Sequence, residues 1–182
     1  MRTDPLGLAL LAIARNAIEK QFGRSTRTVI QHPALASPAA TFVTLTQDGE
    51  LRGCIGSLEA HRPLAQDVAE NAVAAAFRDP RFAPLSEDEL DRTRVEVSLL
   101  DTPEAMNFKD GADALAQLRP GLDGLILTHG NRRATFLPQV WESLQEPQRF
   151  MSQLKLKAGL PAYFWDDDIS LARYGVQKWK ET

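Results

Sequence analysis

The segment LRGCIG, residues 51–56, contains the only cysteine of the chain, Cys54, two positions after Arg52. The thiolate of a cysteine is a nucleophile, and a nearby cation lowers the pKa of the thiol. On a β-strand, side chains two positions apart project from the same face, so Arg52 could supply that charge. The segment therefore predicts a ligand-binding or reactive site, in which Cys54 would be a nucleophile or a redox group.

The neighbours of Cys54 allow two interpretations. Gly53 and Gly56 have no Cβ, so a ligand could approach their backbone amides closely, and we include Ile55 between them in the predicted binding segment. Gly53 also fits a β-bulge or close strand packing. Arg52 also fits a surface ion pair, and a lone cysteine is often an inert buried side chain. The sequence leaves these alternatives open.

Further candidate site residues lie elsewhere in the chain. Glu96 projects from its strand opposite the apolar stripe and is a candidate acid or base for Cys54. Asp79 and Arg81 lie on a loop that ends a helix, where functional groups are common. Lys157 lies near a helix C-terminus and is a fourth candidate, for ligand binding. His61 is the histidine nearest to Cys54 in sequence. Each residue also has a structural role open to it, such as a helix cap, a loop ion pair or a contact with the helix dipole.

The elements that position these residues can be predicted from the pattern. Asp48-Gly49 separates two β-rich runs, TFVTLT and ELRGCIGS, and predicts a hairpin. On its second strand, alternation places Leu51 on the face of Gly53 and Ile55. Cys54 would then project to the opposite side, toward solvent or toward a cleft.

The rest of the chain alternates helices and strands. Helical periodicity and caps predict a helix from Pro5 to about Gly23, a helix over 62–78, and a short helix with Ser86 and Glu89 at capping-box spacing. A strand over 93–100, a helix over 110–118 and a hairpin over 121–141 follow. The chain then continues with a helical segment over 139–158, interrupted at Pro147, and one or two strands in the tail. This order predicts an α+β fold with a mainly antiparallel sheet and packed helices. We expect residues 1–182 to form a single domain, or two intimately packed lobes.

Composition excludes several classes of protein. The 182 residues are 43% hydrophobic and 25% charged, which suits a globular core. The formal net charge of −3 lacks the basic footprint of a dedicated nucleic-acid binder. One cysteine excludes an internal disulfide and any zinc site built on several thiolates. We predict no metal and no cofactor, because phosphate-loop, dinucleotide and metal-helix motifs are absent from the sequence.

The N-terminal apolar run, Leu6 to Ala14, is too short for a membrane span and is followed by charged residues. We therefore expect a cytoplasmic protein without a membrane partner.

The ordered motifs of the chain resemble those of the AMMECR domain family, whose prokaryotic branch is called AmmeMemoRadiSam system protein A. The resemblance covers residues 6 to 180. It is carried by TFVTL followed by LRGCIG, DPRF at 79–82, VEVSLL at 95–100, DGLIL at 123–127, ATFLPQVW at 134–141 and KAGL at 157–160. Ser57 follows LRGCIG where the family often has threonine, and it keeps the hydroxyl.

The resemblance implies a larger and a smaller lobe with a cleft between them. It also implies a pathway with a Memo-like protein and a radical S-adenosylmethionine protein as partners, while the family has no settled biochemical activity. Three functions follow as hypotheses. The first is a protein whose cleft around LRGCIG binds a small ligand or a partner. The second is an enzyme that uses Cys54 on a small substrate, and the third is an RNA-associated regulatory factor.

Overall fold

The computed structural model of the protein describes residues 4–182, which divide into two units. The first unit contains the described residues up to Leu100 together with Gln177–Thr182, and the second contains Asp101–Val176. The chain thus leaves the first unit once and returns to it for its last residues.

The first unit consists of helices and a four-stranded sheet. Its elements are α1 (Pro5–Lys20), β1 (Ala40–Gln47), β2 (Glu50–Gly56), α2 (Leu64–Phe77), β3 (Thr93–Leu100), β8 (Val176–Lys180, of which all but the first residue lie in this unit) and the 3-10 helices Pro33–Ala36 and Glu87–Arg92. The strand order is β2-β1-β3-β8, and β1 is antiparallel to both β2 and β3. Strand β2 therefore lies at an edge of the sheet.

The core of this unit lies between the helices and one face of the sheet. Strand alternation turns Val43 and Leu45 of β1 and Val95 and Val97 of β3 inward, where they pack with apolar residues of α1 and α2. All four side chains are fully buried. We call the opposite face, which carries Thr44 between Val43 and Leu45, the outer face.

A β-bulge interrupts the hairpin at Arg52. Leu45 pairs with Gly53, but the next residue, Thr46, pairs with Leu51, so Arg52 is an extra residue on β2. The prediction that Leu51 shares the face of Gly53 is therefore wrong. One inserted residue reverses the alternation between its two sides, so Leu51 and Gly53 lie on opposite faces. Leu51 is 43% exposed.

The second unit is a smaller α+β assembly. Its elements are β4 (Glu104–Ala105), α3 (Gly111–Gln117), β5 (Gly124–His129), β6 (Arg132–Phe136), the 3-10 helix Pro138–Glu142, α4 (Pro147–Lys157) and β7 (Ser170–Tyr174). The strand order is β4-β7-β5-β6, with antiparallel pairs throughout. Trp141 stacks on Phe150 in the core, with ring centroids 3.8 Å apart.

The structure mixes helices with antiparallel sheets, which confirms the predicted α+β fold class. Both hairpins and the capping box of Ser86 and Glu89 are present, although the helix that follows this box is a 3-10 helix. Helix α1 ends at Lys20, before the predicted limit at Gly23. The cleft and the single-domain organisation stay predictions.

Candidate functional site

Cys54 belongs to a row of three polar side chains that crosses the outer face. Thr44 of β1 pairs with Cys54 of β2 on one side and with Glu96 of β3 on the other. The Thr44 hydroxyl lies 3.3 Å from the Cys54 sulfur, at hydrogen-bond distance for a thiol. The sequence correctly predicted that Cys54 and Glu96 lie on strands, opposite the apolar face. The pairing through Thr44 required the register of the sheet.

Asp79 caps the edge of the sheet at Cys54. Because β2 is an edge strand, the backbone N–H of Cys54 has no neighbouring strand to bind, and it donates to Oδ2 of Asp79 at 2.9 Å. The Asp79 side chain is buried. Its position two residues after α2 lets the loop reach the strand. A buried edge group is thereby satisfied by a charged acceptor.

Arg81 forms a two-pronged ion pair with the same carboxylate. Its Nε donates to Oδ1 of Asp79 at 3.0 Å and its Nη2 donates to Oδ2 at 2.7 Å. The hydrogen bonds from Arg81 hold the pKa of Asp79 well below its usual range, against the effect of burial, and the Cys54 N–H adds to them. The Arg81 side chain nevertheless remains 54% exposed. The site therefore holds an oriented cation with donors left for another group.

The thiol itself is not activated. Burial raises the pKa of Cys54, and the charges of Asp79 and Glu96 raise it further. The Thr44 hydrogen bond and the Arg81 charge lower the pKa, but burial is the largest effect. We therefore expect a neutral thiol near pH 7.

Arg52 does not supply the cation beside the thiol, and that prediction is wrong. Its guanidinium binds Glu89, with Nε 3.0 Å from Oε1 and Nη2 3.2 Å from Oε2, and Nη2 also donates to the carbonyl of Ala83 at 2.9 Å. The Arg52 hydrogen bonds lower the pKa of Glu89 to about 2, although burial opposes them. The bulge takes Arg52 out of the regular alternation, and the cation that lowers the pKa of Cys54 is Arg81.

Packing accounts for both glycines of the motif. A Cβ on Gly53 would overlap the backbone carbonyl oxygen of Ala75 in α2, and a Cβ on Gly56 would overlap the ring of Phe42. Ile55 packs against the core of the first unit. Each residue thus has a structural reason to be there, and its contact with a ligand stays a prediction.

Two other candidates have partners of their own. Lys157 belongs to the second unit, where its Nζ donates to the carbonyl of Thr135 at 2.9 Å and lies 5.2 Å from the centre of the Phe136 ring. Burial lowers the pKa of Lys157. The His61 ring is exposed, with Nδ1 2.9 Å from the carbonyl oxygen of Glu59. His61 is not among the groups that shift the pKa of Cys54.

Sequence reasoning missed a second polar cluster at the other end of α2. The fully buried Asp67 carboxylate accepts hydrogen bonds from the backbone N–H and hydroxyl of Thr41, the Ser57 hydroxyl, Nε of Arg62 and the Asn71 amide, at 2.6–3.1 Å. A signal was present, because Asp67 and Asn71 are four residues apart beside the apolar stripe of α2. Polar side chains at buried helix positions require partners.

Within residues 4–182, no three His, Cys, Asp or Glu side chains are grouped closely enough to hold a metal ion. No helix in this part of the chain has the length and apolar character needed to cross a membrane.

Comparison with known proteins places this geometry in a family. The AMMECR1 family model matches residues 11–179. A protein of Methanothermobacter thermautotrophicus is 38% identical over 96% of this chain and 94% of its own length, and one of Aeropyrum pernix is 39% identical over 98% and 80%. The crystal structure of an uncharacterized protein from Pyrococcus horikoshii superposes with a TM-score of 0.87 at 31% identity, covering 98% of this chain and 93% of that one. The chain therefore belongs to the AMMECR1 family.

Proposed function

We propose that the protein is a binding component that holds a small polar ligand, or a polar group of a partner, on the outer face around Cys54. The observation that carries the proposal is the state of Arg81. Its guanidinium is oriented by a buried carboxylate, yet more than half of its side chain is open to solvent. Its exposed N–H groups can therefore donate to a further acceptor without breaking the pair with Asp79.

The chemistry of the row defines what would bind. Arg81 offers N–H donors beside Cys54, and Glu96 offers carboxylate oxygens that take part in no hydrogen bond or ion pair within residues 4–182. The neutral Cys54 thiol and the Thr44 hydroxyl lie between the edge of β2 and Glu96. Two strand spacings, about 10 Å, separate the strands that carry Cys54 and Glu96. A ligand with an acceptor that meets Arg81 at the β2 edge and a donor that reaches across to Glu96 fits this row.

Binding is favoured over nucleophilic catalysis by the state of the thiol. A cysteine nucleophile needs a lowered pKa, whereas burial raises the pKa of Cys54. An enzyme would need a base to remove the thiol proton, and Glu96 is the carboxylate in the row that could do so. If Cys54 is catalytic, Cys54→Ser and Glu96→Gln would abolish turnover while leaving ligand affinity nearly intact.

The pathway with a Memo-like protein and a radical S-adenosylmethionine protein is part of the proposal, as the resemblance to the AMMECR domain family implies. Its direct test is sedimentation velocity of each purified pair at micromolar concentration. We expect a complex that Arg81→Glu weakens. Independent sedimentation of wild-type protein and both partners would contradict a stable complex.

A thermal-shift screen with small zwitterionic and polar metabolites tests ligand binding at the outer face. We expect at least one compound to raise the melting temperature of the wild type, because a ligand that binds only the folded state stabilises it. Arg81→Gln should remove the shift. Arg24→Gln is the matched control, since Arg24 also forms exposed ion pairs with carboxylates. A shift that survives Arg81→Gln would place the ligand elsewhere.

A further inference from the structure

A second surface of the first unit forms a groove of about 1150 Å³ along α1. The groove is lined by one stripe of α1, by the segment around Arg27 to Ile30, by Arg94 of β3 and by residues 178–182. We call this surface the α1 groove. It shares no lining residue with the row of Thr44, Cys54 and Glu96, so the inference is independent of the proposed function.

The floor of the α1 groove is apolar and fixed in place. Leu8 is 40% exposed and Ile30 is 45% exposed, and both line this one groove. Trp179 lies beside them, and its Nε1 donates to the Asp4 carboxylate at 2.9 Å. Its ring packs so closely on Gly7 of α1 that a Cβ there would overlap it. The apolar floor therefore exists before anything binds.

The rim of the α1 groove is basic although the whole chain is acidic. The lining contains five basic side chains, Arg15, Arg27, Arg94, Lys178 and Lys180, but only two acidic ones, Asp4 and Glu181. The chain as a whole has 21 basic and 24 acidic residues. Such a local excess attracts negatively charged partners.

Not all of these cations are available, so their present partners matter. Arg15 is buried and paired with Glu181, and Arg27 is paired with Glu19. Arg94 donates to the backbone carbonyls of Asp91 and Thr93. Among residues 4–182, neither Arg94 nor Lys180 is paired with a carboxylate. These two cations can therefore meet acidic groups without breaking an existing ion pair.

We propose that the α1 groove docks an acidic amphipathic helix of a partner protein. The lining positions extend from Asp4, the N-cap of α1, to Arg15, a length of about 16 Å, which matches about three helical turns. An apolar stripe with i, i+3/i+4 and i+7 anchors would cover Leu8 and Ile30. The two available cations, Arg94 and Lys180, come from the neighbouring strands β3 and β8, so they can meet acidic residues along one flank of a helix.

The test uses a displayed library of 14-residue helical peptides with random surface positions. The library is selected on the wild-type protein and counter-selected on Ile30→Glu. We expect enriched peptides to carry a net negative charge and an apolar stripe at i, i+3/i+4 and i+7. The most enriched peptide is then synthesised with a fluorophore, and its affinity is measured by anisotropy.

The variants decide the outcome. We expect Leu8→Glu, Ile30→Glu and Lys180→Glu each to weaken the peptide at least tenfold, and added salt to weaken it further. Leu122→Glu is the matched control, because Leu122 is 62% exposed and lies in the other unit. Enrichment of peptides without negative charge or apolar periodicity would overturn the proposal. So would equal binding by all variants, a dimer of the protein alone that Ile30→Glu dissociates, or saturable binding of dodecanoate without any enriched peptide.

Discussion

Two carboxylates, Asp67 and Asp79, occupy opposite ends of α2 and bind the same kinds of group. Each accepts a hydrogen bond from a backbone N–H of the first hairpin, and each pairs with an arginine. The arginine of Asp67, Arg62, has a side chain that is 19% exposed, whereas that of Arg81 is 54% exposed. Asp67 also receives three further side-chain hydrogen bonds.

The difference shows how one interaction serves either stability or binding. At Asp67 the donors surround the carboxylate, and the cluster ties α2 to β1 and to the segment after β2. At Asp79 the carboxylate is equally buried, but it holds its arginine at the surface beside Cys54. A binding site needs polar groups that remain free after folding, and of these two clusters the one at Asp79 retains more of them.

The largest expected effect is that of Asp67→Asn. The variant leaves Arg62 without its buried partner and gives the buried N–H and hydroxyl donors of Thr41 an amide in place of a carboxylate. We expect a loss of about 3–5 kcal/mol in the free energy of unfolding, measured with urea. Glu70→Gln is the control, since Glu70 pairs with the exposed side of Arg62, and its cost should be below about 1 kcal/mol. Equal losses would contradict the comparison.

Asp79→Asn should cost less, about 1.5–3 kcal/mol, because it weakens hydrogen bonds to one charged group whose arginine can return to solvent. The local effect should be larger than the global one. We expect faster amide hydrogen exchange at Cys54, whose N–H binds this carboxylate. A loss of unfolding free energy as large as that of Asp67→Asn would mean that Asp79 serves stability in the same way as Asp67.

Acid should reveal the contribution of Asp79 as a change in the slope of stability against pH. The pKa of Asp79 in the folded protein lies below its usual range, so its stabilising effect is complete above the unfolded pKa near 4. That effect is lost as the pH falls through the folded pKa. We expect wild-type stability to fall steeply below about pH 4 and Asp79→Asn to fall less steeply. Urea unfolding at pH 7, 4, 3 and 2 measures this, and parallel curves would contradict it.

The smallest expected effect concerns the thiol. Burial places the Cys54 pKa above its ordinary value, and the Arg81 charge partly offsets that rise. Arg81→Gln should therefore raise the midpoint of iodoacetamide alkylation against pH, and we expect the change to be small because Arg81 is so exposed. Arg52→Gln is the control, and we expect no change in midpoint. A shift with Arg52→Gln but not with Arg81→Gln would reverse the assignment of the cation.

Local sequence was enough wherever neighbouring residues determine the structure. The Asp48-Gly49 turn forms with positive φ at both residues, and the capping box of Ser86 and Glu89 closes as its spacing predicts. Strand alternation placed Cys54 and Glu96 opposite the apolar face. The family also follows from the order of its motifs, which the family match bears out.

Only the tertiary structure decided which charges meet. The bulge at Arg52 depends on how β2 pairs with β1, so periodicity alone assigned Leu51 to the wrong face and Arg52 to the wrong partner. The contact between Asp79 and Cys54 joins residues 25 positions apart. The sequence by itself thus determined the elements and the candidate residues. Side-chain partners that lie far apart in the chain were decided by packing, because no short-range pattern encodes them.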